Sequence, residues 1–586
     1  MIAALRRGLR GRRGLAIVLG VALLARLVRW GLDFPIWGDE AFVGCSLLAR
    51  DLSGLLAPLE FEMVVPLGWL LPTGWLAQRF DGATLALRLP ALLAGIAALL
   101  LFARLARRMA GPALSPATAL LSVAWFGASY YLIRHGAEVK PYAFDLLAGV
   151  LLYGAGRRLA ASRRTPPAGA DAAHERTAAD SARGWLAFAA IGVIAVWCSY
   201  PAIFVAVGAG GAAALLQVRR KPAALRLAAL PLSAHRRIVP ALLALAAVAI
   251  SFAAMYLRFG HAQQWSEERI ADARHWDDHF LPLGEPWRWP LWLLRELTGN
   301  LLAYPNGGPN FGSSATFLLC VAGGVAWWRR GRRAELLVLL APLLPMLAAS
   351  ALRKYPFGGS ARIALHLAIP ICLLAASGVA AVAAAVRRRA SATTVATALL
   401  LLFALGSPIR DCLKPWKTEQ DRRSREAFEW FAAQLAPGDV IAVFGHFGGD
   451  DGGDGNGNGE PPAEFAGGAP DLRGWRGSSG RLRFHLLRLT RSRDVSLRFA
   501  PVASALARAF DTASDSAASP ALWTVTYRDN EAPFPEAAHS GWQAALEAAL
   551  HRPLVAARES TLGRASPDPT TGAARAESIT FARAAR

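Results

Sequence analysis

The chain has 586 residues, of which 54% are hydrophobic, 9% aromatic and only 18% charged, too apolar a balance for a soluble protein of this size. Its formal net charge of +22 at first suggests a nucleic-acid partner, but the conspicuous basic clusters at 6–13, 219–221, 236–237, 329–333 and 387–389 each flank an apolar run. No zinc-finger, homeodomain or RNP pattern accompanies them, so nucleic-acid binding is set aside and the charge is read as membrane topology and contact with anionic lipid.

The first apolar run, 15–30, follows five arginines between Arg6 and Arg13, which hold the N-terminus in the cytoplasm. No small-residue cleavage site follows it, so it is read as an uncleaved helix and not a signal peptide. Further runs lie at 84–104, 113–131, 142–157, 185–197, 200–218, 238–257, 313–328, 334–352, 363–386 and 393–405, making about eleven spans. Alternating them places the Arg-rich loops 104–108, 157–183, 219–237, 329–333 and 387–389 on one side, and the C-terminus outside. Residues 287–304 carry Trp287, Trp289 and Trp292 with Pro286 and Pro290, the composition of a helix lying in the head-group belt. Cys45, Cys198, Cys320, Cys372 and Cys412 are scattered with no C-x-x-C or metal spacing, and are read as small buried hydrophobes.

Three external segments result. The first, 31–83, contains amphipathic pieces at 41–56 and 66–80 that suit the membrane surface; the second, 258–290, is rich in charge and aromatics; the third is the short turn 354–362. Two domains are expected: a transmembrane domain over 1–406, and over 407–586 a small extracytoplasmic α/β region. Its expected elements are a helix at 424–435, strands at 439–444 and 522–527, a helix at 541–550 and a strand at 578–582. The Gly/Asp/Asn tract 448–459 has nothing to bury and is read as a disordered insert; it lacks the spacing and distal Glu of a calcium loop.

Asp39 and Glu40 are the leading candidates for chemistry, an adjacent acidic pair on the first external loop, close to the bilayer surface. One carboxylate can accept a proton from an attacking hydroxyl or amine. The alternative is structural, with Asp39 capping a helix that begins at Ala41 and Glu40 resting at its positive end. A second cluster on the same side, Arg134-His135-Gly136-Ala137-Glu138-Val139-Lys140-Pro141-Tyr142, offers Glu138 to a cation or acceptor and Arg134 and Lys140 to a phosphate. It also reads as charges marking a helix end before Pro141. The third cluster is Arg353, Lys354, Tyr355 and Arg362 around the Pro356-Phe357-Gly358-Gly359 turn. Positive charge is unexpected in a short external loop, and the turn is tight enough to form an anion nest.

In the second external segment, His261, His275 and His279 beside Asp277 and Asp278 invite a metal reading, but no third ligand stands at a telling spacing and no metal-ligand set is assigned. Glu267 and Glu268 are acceptor contacts or solvated charge. Tyr142, Trp265 and Glu267 are the candidates for substrate contact, an aromatic face being able to stack on a sugar or to anchor at the interface.

The order of these motifs resembles the GT-C glycosyltransferases, in the branch of the protein O-mannosyltransferases and the lipid A aminoarabinose transferase. The acidic pair in the first loop is followed by Pro66-Leu67-Gly68-Trp69. Leu87-Arg88-Leu89-Pro90 looks like that family's Arg-Leu-Pro, and Glu138-Val139-Lys140-Pro141-Tyr142 looks like its Glu/Ala-x-Arg-Pro-Tyr. The likeness covers about residues 15–210 well and the 354–359 turn moderately. It implies a polytopic α-helical fold and inverting transfer of a sugar from a polyprenyl phosphate to an external acceptor, with the loop aspartate as base. By position that base is Asp39, with Glu40 alongside and Glu138 as a further acid. The sequence departs in Lys140, where many members have Arg, and in having the single Pro66 preceded by Val65.

The resulting expectation is a multi-pass glycosyltransferase of the bacterial-type inner membrane, moving a hexosyl or pentosyl group. Arg134, Lys140, Lys354, Tyr355 and Arg362 would bind the donor phosphate, and a lipid, glycan or protein would be the acceptor. A divalent cation is left open as cofactor. The rivals are a polymerase or ligase using a diphosphate-linked glycan, and a non-catalytic transporter or flippase of lipid-linked sugars. A transporter would carry charges inside its spans and often internal repeats, whereas this chain concentrates its charges at external helix ends.

Overall fold

A computed structural model describes residues 12–110, 116–161, 171–218, 232–261, 273–305, 311–385, 406, 409–445, 479–493, 495–499, 521–528 and several shorter stretches between 540 and 584. The chain divides into two compact units. One comprises Met1–Leu32, Val64–Pro72 and Arg88–Leu413, the other Asp33–Met63, Thr73–Leu87 and Lys414–Arg586. The expected span at 393–405, the glycine-rich tract at 448–459 and the substrate candidates Trp265 and Glu267 lie outside the described residues.

The first unit is helical. Among the described residues, six helices are long and apolar enough to cross a bilayer: Arg13–Gly31, Thr84–Met109, Asp180–Cys198, Ile238–Gly260, Arg333–Ala351 and Ala361–Ala385, with shorter apolar helices at Thr118–Ala128 and Ala202–Val218. The protein is thus a multi-pass helical membrane protein. The segment read as interfacial is a ten-residue helix, Trp289–Thr298, too short to cross, with Trp287, Leu291 and Leu294 exposed.

Several expected spans are interrupted. The helix Pro116–Ala128 stops at Ser129, whose hydroxyl donates to the Trp125 carbonyl at 2.6 Å, and a new turn Tyr130–Arg134 begins at once. The run 334–352 is two helices, Arg333–Leu340 and Leu343–Ala351, separated at Ala341-Pro342, because Pro342 has no N–H to continue the ladder. At 361–367 a 3-10 turn precedes the helix Ala368–Ala385.

The core is built from small residues as much as large ones. A Cβ on Gly323 would fall 1.9 Å from the Leu374 carbonyl, and one on Gly378 would fall 2.0 Å from that of Leu319. The helices Gly312–Arg329 and Ala368–Ala385 therefore cross backbone against backbone, which only glycine permits on both sides. Nearby, Trp327 donates its indole N–H to Ser377 at 2.8 Å, and Phe102 stacks on Phe126 at 4.2 Å. Arg29 and Asp411 form a buried ion pair at 2.7 Å.

The second unit carries a five-stranded sheet in the order β2-β1-β3-β7-β4. Its strands are β1 Val440–Gly445, β2 Ser496–Phe499, β3 Leu522–Arg528, β4 Leu554–Thr561 and β7 Ser578–Ala584; β5 Ser566–Pro567 and β6 Ala574–Arg575 form a separate two-stranded ladder. β2 and β3 run parallel to β1, while β7 is antiparallel to both β3 and β4. A helix Glu419–Gln434 opens with a capping box between Thr418 and Asp421 and packs Phe428 and Phe431 onto Trp523 and Phe581 of the sheet. The sequence reading anticipated β1, β3 and β7. It omitted β2, β4 and the helix Ser479–Arg493, whose arginines mask an apolar face of Leu482, Leu486 and Leu489.

Candidate active site

In the helical unit the break at Ser129 and Pro141, which opens the next helix, leave residues 135–141 as a tight non-helical link, with a 3-10 turn at His135–Ala137. This link folds Glu138 back onto its own predecessors. Arg134 Nε donates to Glu138 Oε1 at 2.6 Å, and His135 Nδ1 meets Oε2 at 2.7 Å. Glu138 is 3% exposed, so its charge requires these partners. Burial alone would raise its carboxyl, but His135 and Arg134 outweigh that and hold it well below the usual carboxylate range. Burial lowers the His135 pKa, only partly opposed by Glu138, and Arg134 and Arg362 lower it further.

The influence of Arg362 on His135 ties the third motif to the second. Tyr142 presents its ring edge to His135 at 5.0 Å, and Tyr131 stacks on the other side at 6.1 Å. Lys140 is buried, its amide donating to the Glu138 carbonyl at 2.8 Å. The result is a partly buried, net electropositive cluster: Arg134 and His135 hold Glu138, Arg362 lies close enough to act on His135, and Lys140 is buried two positions beyond Glu138. It can hold an anion and exclude water from it.

Tyr355 is fixed differently. Its hydroxyl donates to the Ile363 carbonyl at 2.6 Å, closing the 355–363 turn, and its ring meets Phe204 at 5.1 Å. Burial, with Asp145 and Tyr142 nearby, pushes the phenol well above its ordinary pKa, so it is a hydrogen-bond donor at any physiological pH. Lys354 is exposed, and its neighbour Arg353 pairs with Asp277.

The expected anion nest takes another form. Gly358 lies against Glu296, a Cβ there falling 2.0 Å from Oε2, and Gly359, at φ +85, lies against the His279 ring, where a Cβ would fall 2.5 Å from Cδ2. His279 in turn contacts Glu296 at 3.0 Å, Phe357 donates its amide to the His279 carbonyl at 3.0 Å, and Asn300 donates to the Gly359 carbonyl at 2.9 Å. The glycines are required because the turn is stitched to the second external segment at backbone distance, around an internal carboxylate. Among the described residues no three His, Cys, Asp or Glu side chains gather to hold a metal ion.

Sequence reasoning passed over a buried polar group in the same unit. Asp145, Ser199 and His366 are each at most 5% exposed, and His366 rests on Gly149, one helical turn beyond Asp145. The signal was present, since Asp145 is a carboxylate within an apolar run.

In the other unit, Asp39 and Glu40 occupy the first turn of the helix Gly38–Ala49. The helix starts earlier than the sequence suggested. Trp37 is its N-cap residue and no side chain caps it, so Asp39 is inside the helix and does not cap one beginning at Ala41. Both acids still face the positive end of the helix dipole. Glu40 is 1% exposed, while Asp39 is half-buried.

This helix is gripped by later sequence. Arg425 donates to the Asp33 carbonyl and approaches its carboxylate at 3.3 Å, at a residue whose φ of +43 is uncommon for anything but glycine. The Lys417 ammonium stands 2.7 Å from the Trp37 ring centroid. Further along, Gly44 receives the edge of the Phe484 ring so closely that a Cβ would lie 2.6 Å from it, and Arg491 donates to the Leu48 carbonyl at 2.8 Å. Arg483, fully buried, pairs with Glu60 and lies over Phe61.

No protein-family model matches the sequence, and a search of curated proteins finds no relative. Among solved structures, the chain is similar to ArnT from Cupriavidus metallidurans in the apo state, at 11% identity and a TM-score of 0.48 over 96% of this chain and 97% of that one. It is similar also to ArnT from the same organism bound to undecaprenyl phosphate, at 11% identity and 0.47 over 97% and 98%. A third is the archaeal oligosaccharyltransferase AglB from Archaeoglobus fulgidus in complex with an inhibitory peptide and a dolichol-phosphate, at 12% identity and 0.40 over 96% and 74%.

Proposed function

We propose that the protein is an inverting membrane glycosyltransferase that moves a sugar from a polyprenyl-phosphate donor to an acceptor on the external face of the membrane. The observation that carries this reading is the buried Glu138 carboxylate held by Arg134 and His135, with Arg362 acting on the histidine; the acidic pair in the first turn of the Gly38–Ala49 helix supplies the candidate base. In this reading Asp39 is the base, taking the proton of the attacking hydroxyl or amine as the sugar–phosphate bond breaks, and Glu40 supports it. The sugar gains oxocarbenium character while negative charge grows on the departing phosphate. Arg134, Lys140 and Arg362 stabilise that charge from fixed positions, which is the largest electrostatic contribution such a site can make. Glu138 keeps Arg134 in place, and Tyr355 and Tyr142 border the phosphate. A single in-line displacement inverts the anomeric centre.

The test uses the purified full-length protein in detergent, a set of polyprenyl-phosphate hexoses and pentoses, and a crude cell-envelope acceptor. Transfer by the parent and its loss by about a thousandfold in Asp39→Asn is the expected result, as for removal of a general base. Equal transfer by parent and variant would overturn the assignment of Asp39. Transfer from diphosphate-linked glycans alone would favour the polymerase or ligase reading, and movement of lipid-linked sugar across a vesicle membrane without transfer would favour the transporter.

A further inference from the structure

We propose that Lys417, Arg425 and Phe484 form a clamp that positions the acidic pair: Lys417 and Arg425 at the head of the Gly38–Ala49 helix, and Phe484 at its middle, set where Asp39 points. The proposal rests on the reading of Asp39 as the base. A twelve-residue helix has little stability of its own, and this one lacks a side-chain cap, so its orientation comes from what touches it. Those contacts fall just before the helix, at its N-cap residue and at its centre. Arg425 pins Asp33, where the chain turns through a left-handed residue before the helix. Lys417 covers Trp37, the residue at which the helix begins. Phe484 fills the groove that Gly44 leaves open.

The arrangement is costly unless it has a use. It fixes the chain two and six residues before Asp39, so the approach to the first turn of the helix is held at two points. The tight approach at Gly44 removes the rotational freedom that a short surface helix would otherwise keep. Lys417, Arg425 and Phe484 are thus positioning residues, acting through the helix and not on the sugar.

The experiment uses the full-length protein in detergent, with a polyprenyl-phosphate hexose and crude envelope acceptor as substrates and amide hydrogen exchange over 33–49 as a readout independent of turnover. In Lys417→Met and Arg425→Gln, exchange over 38–49 should rise about tenfold, and kcat should fall about tenfold with KM for the donor unchanged, the signature of a misplaced catalytic group. Lys417→Arg should restore both, because a guanidinium also sits over an indole ring. A steric arm avoids reliance on charge: Gly44→Ala should lower kcat, and Phe484→Leu in the same chain should recover part of the loss.

Unchanged exchange over 38–49 in Lys417→Met and Arg425→Gln overturns the clamp. So does raised exchange with kcat unaltered while Asp39→Asn is inactive, because the helix would then be held but not positioned. Full activity in Asp39→Asn is a different failure: it removes the base assignment, and with it the positioning role, even where exchange shows that the helix is held.

Discussion

Glu138 is a carboxylate 3% exposed between an arginine and a histidine, and these pairings depend on its staying ionised. Its folded-state pKa lies below its unfolded value, so the pairing stabilises the protein above about pH 4.5 and the contribution is lost as pH falls through the folded value. His135 works in the same direction: a lowered folded pKa means that its contribution is lost as pH falls below about 6.5. Glu138→Gln should therefore lower stability by about 3 kcal/mol at pH 7, since it removes the buried charge that pairs with Arg134, and the difference from the parent should shrink as pH falls toward 3. Thermal unfolding of parent and variant in detergent across that range checks both size and sign. Arg134, Glu138, Lys140 and Arg362 were legible in the sequence because charge at the end of an apolar run is conspicuous. The pairing of His135 with Glu138 was not, because it depends on a 3-10 turn that no periodicity announces. The start of the acidic helix was misplaced by three residues, since Trp37-Gly38 carries no capping side chain to mark it.

Helices were legible where apolar runs are long, and their interruptions less so. Pro342 breaks one span in a way that its ring dictates, yet an apolar run with an internal proline reads as continuous when scored by hydropathy. The crossing at Gly323 and Gly378 was invisible, because it requires two glycines 55 positions apart to face each other. Gly378→Val should force the Gly312–Arg329 and Ala368–Ala385 helices apart against backbone atoms that have nowhere to retreat. The expected cost is about 3 kcal/mol, the upper end for overpacking, measured as a loss of folded yield and melting temperature. In the sheet, β2 and β4 escaped notice for a different reason. β2 is only four residues long, and β4, with Ala556, Arg558 and Glu559 in its middle, follows its neighbour in the sheet more than its own propensity.

At the scale of the molecule, composition placed the chain in a bilayer, and the six long apolar helices agree with that. Hydropathy drew one boundary near residue 407. The compact units also gather 33–63 and 73–87 with the C-terminal segment, a grouping created by side-chain pairs between distant stretches, which local composition does not record. The orientation of the helices makes a separate prediction. Single cysteines replacing Lys354 and Ser360 should react with a membrane-impermeant thiol reagent added to intact cells, and one replacing Arg330 should react only after permeabilisation. Labelling of Arg330→Cys in intact cells would reverse the topology and place the electropositive cluster on the wrong face.

The contact between Asp33 and Arg425 spans 392 positions of sequence, and it has a counterpart in time. During synthesis the acidic helix leaves the ribosome long before the residues that grip it exist. At ordinary elongation rates of about 5–20 residues per second, that interval is tens of seconds. The Gly38–Ala49 helix would thus pass its early life without these contacts, and they would form only once residues 417–491 had been made.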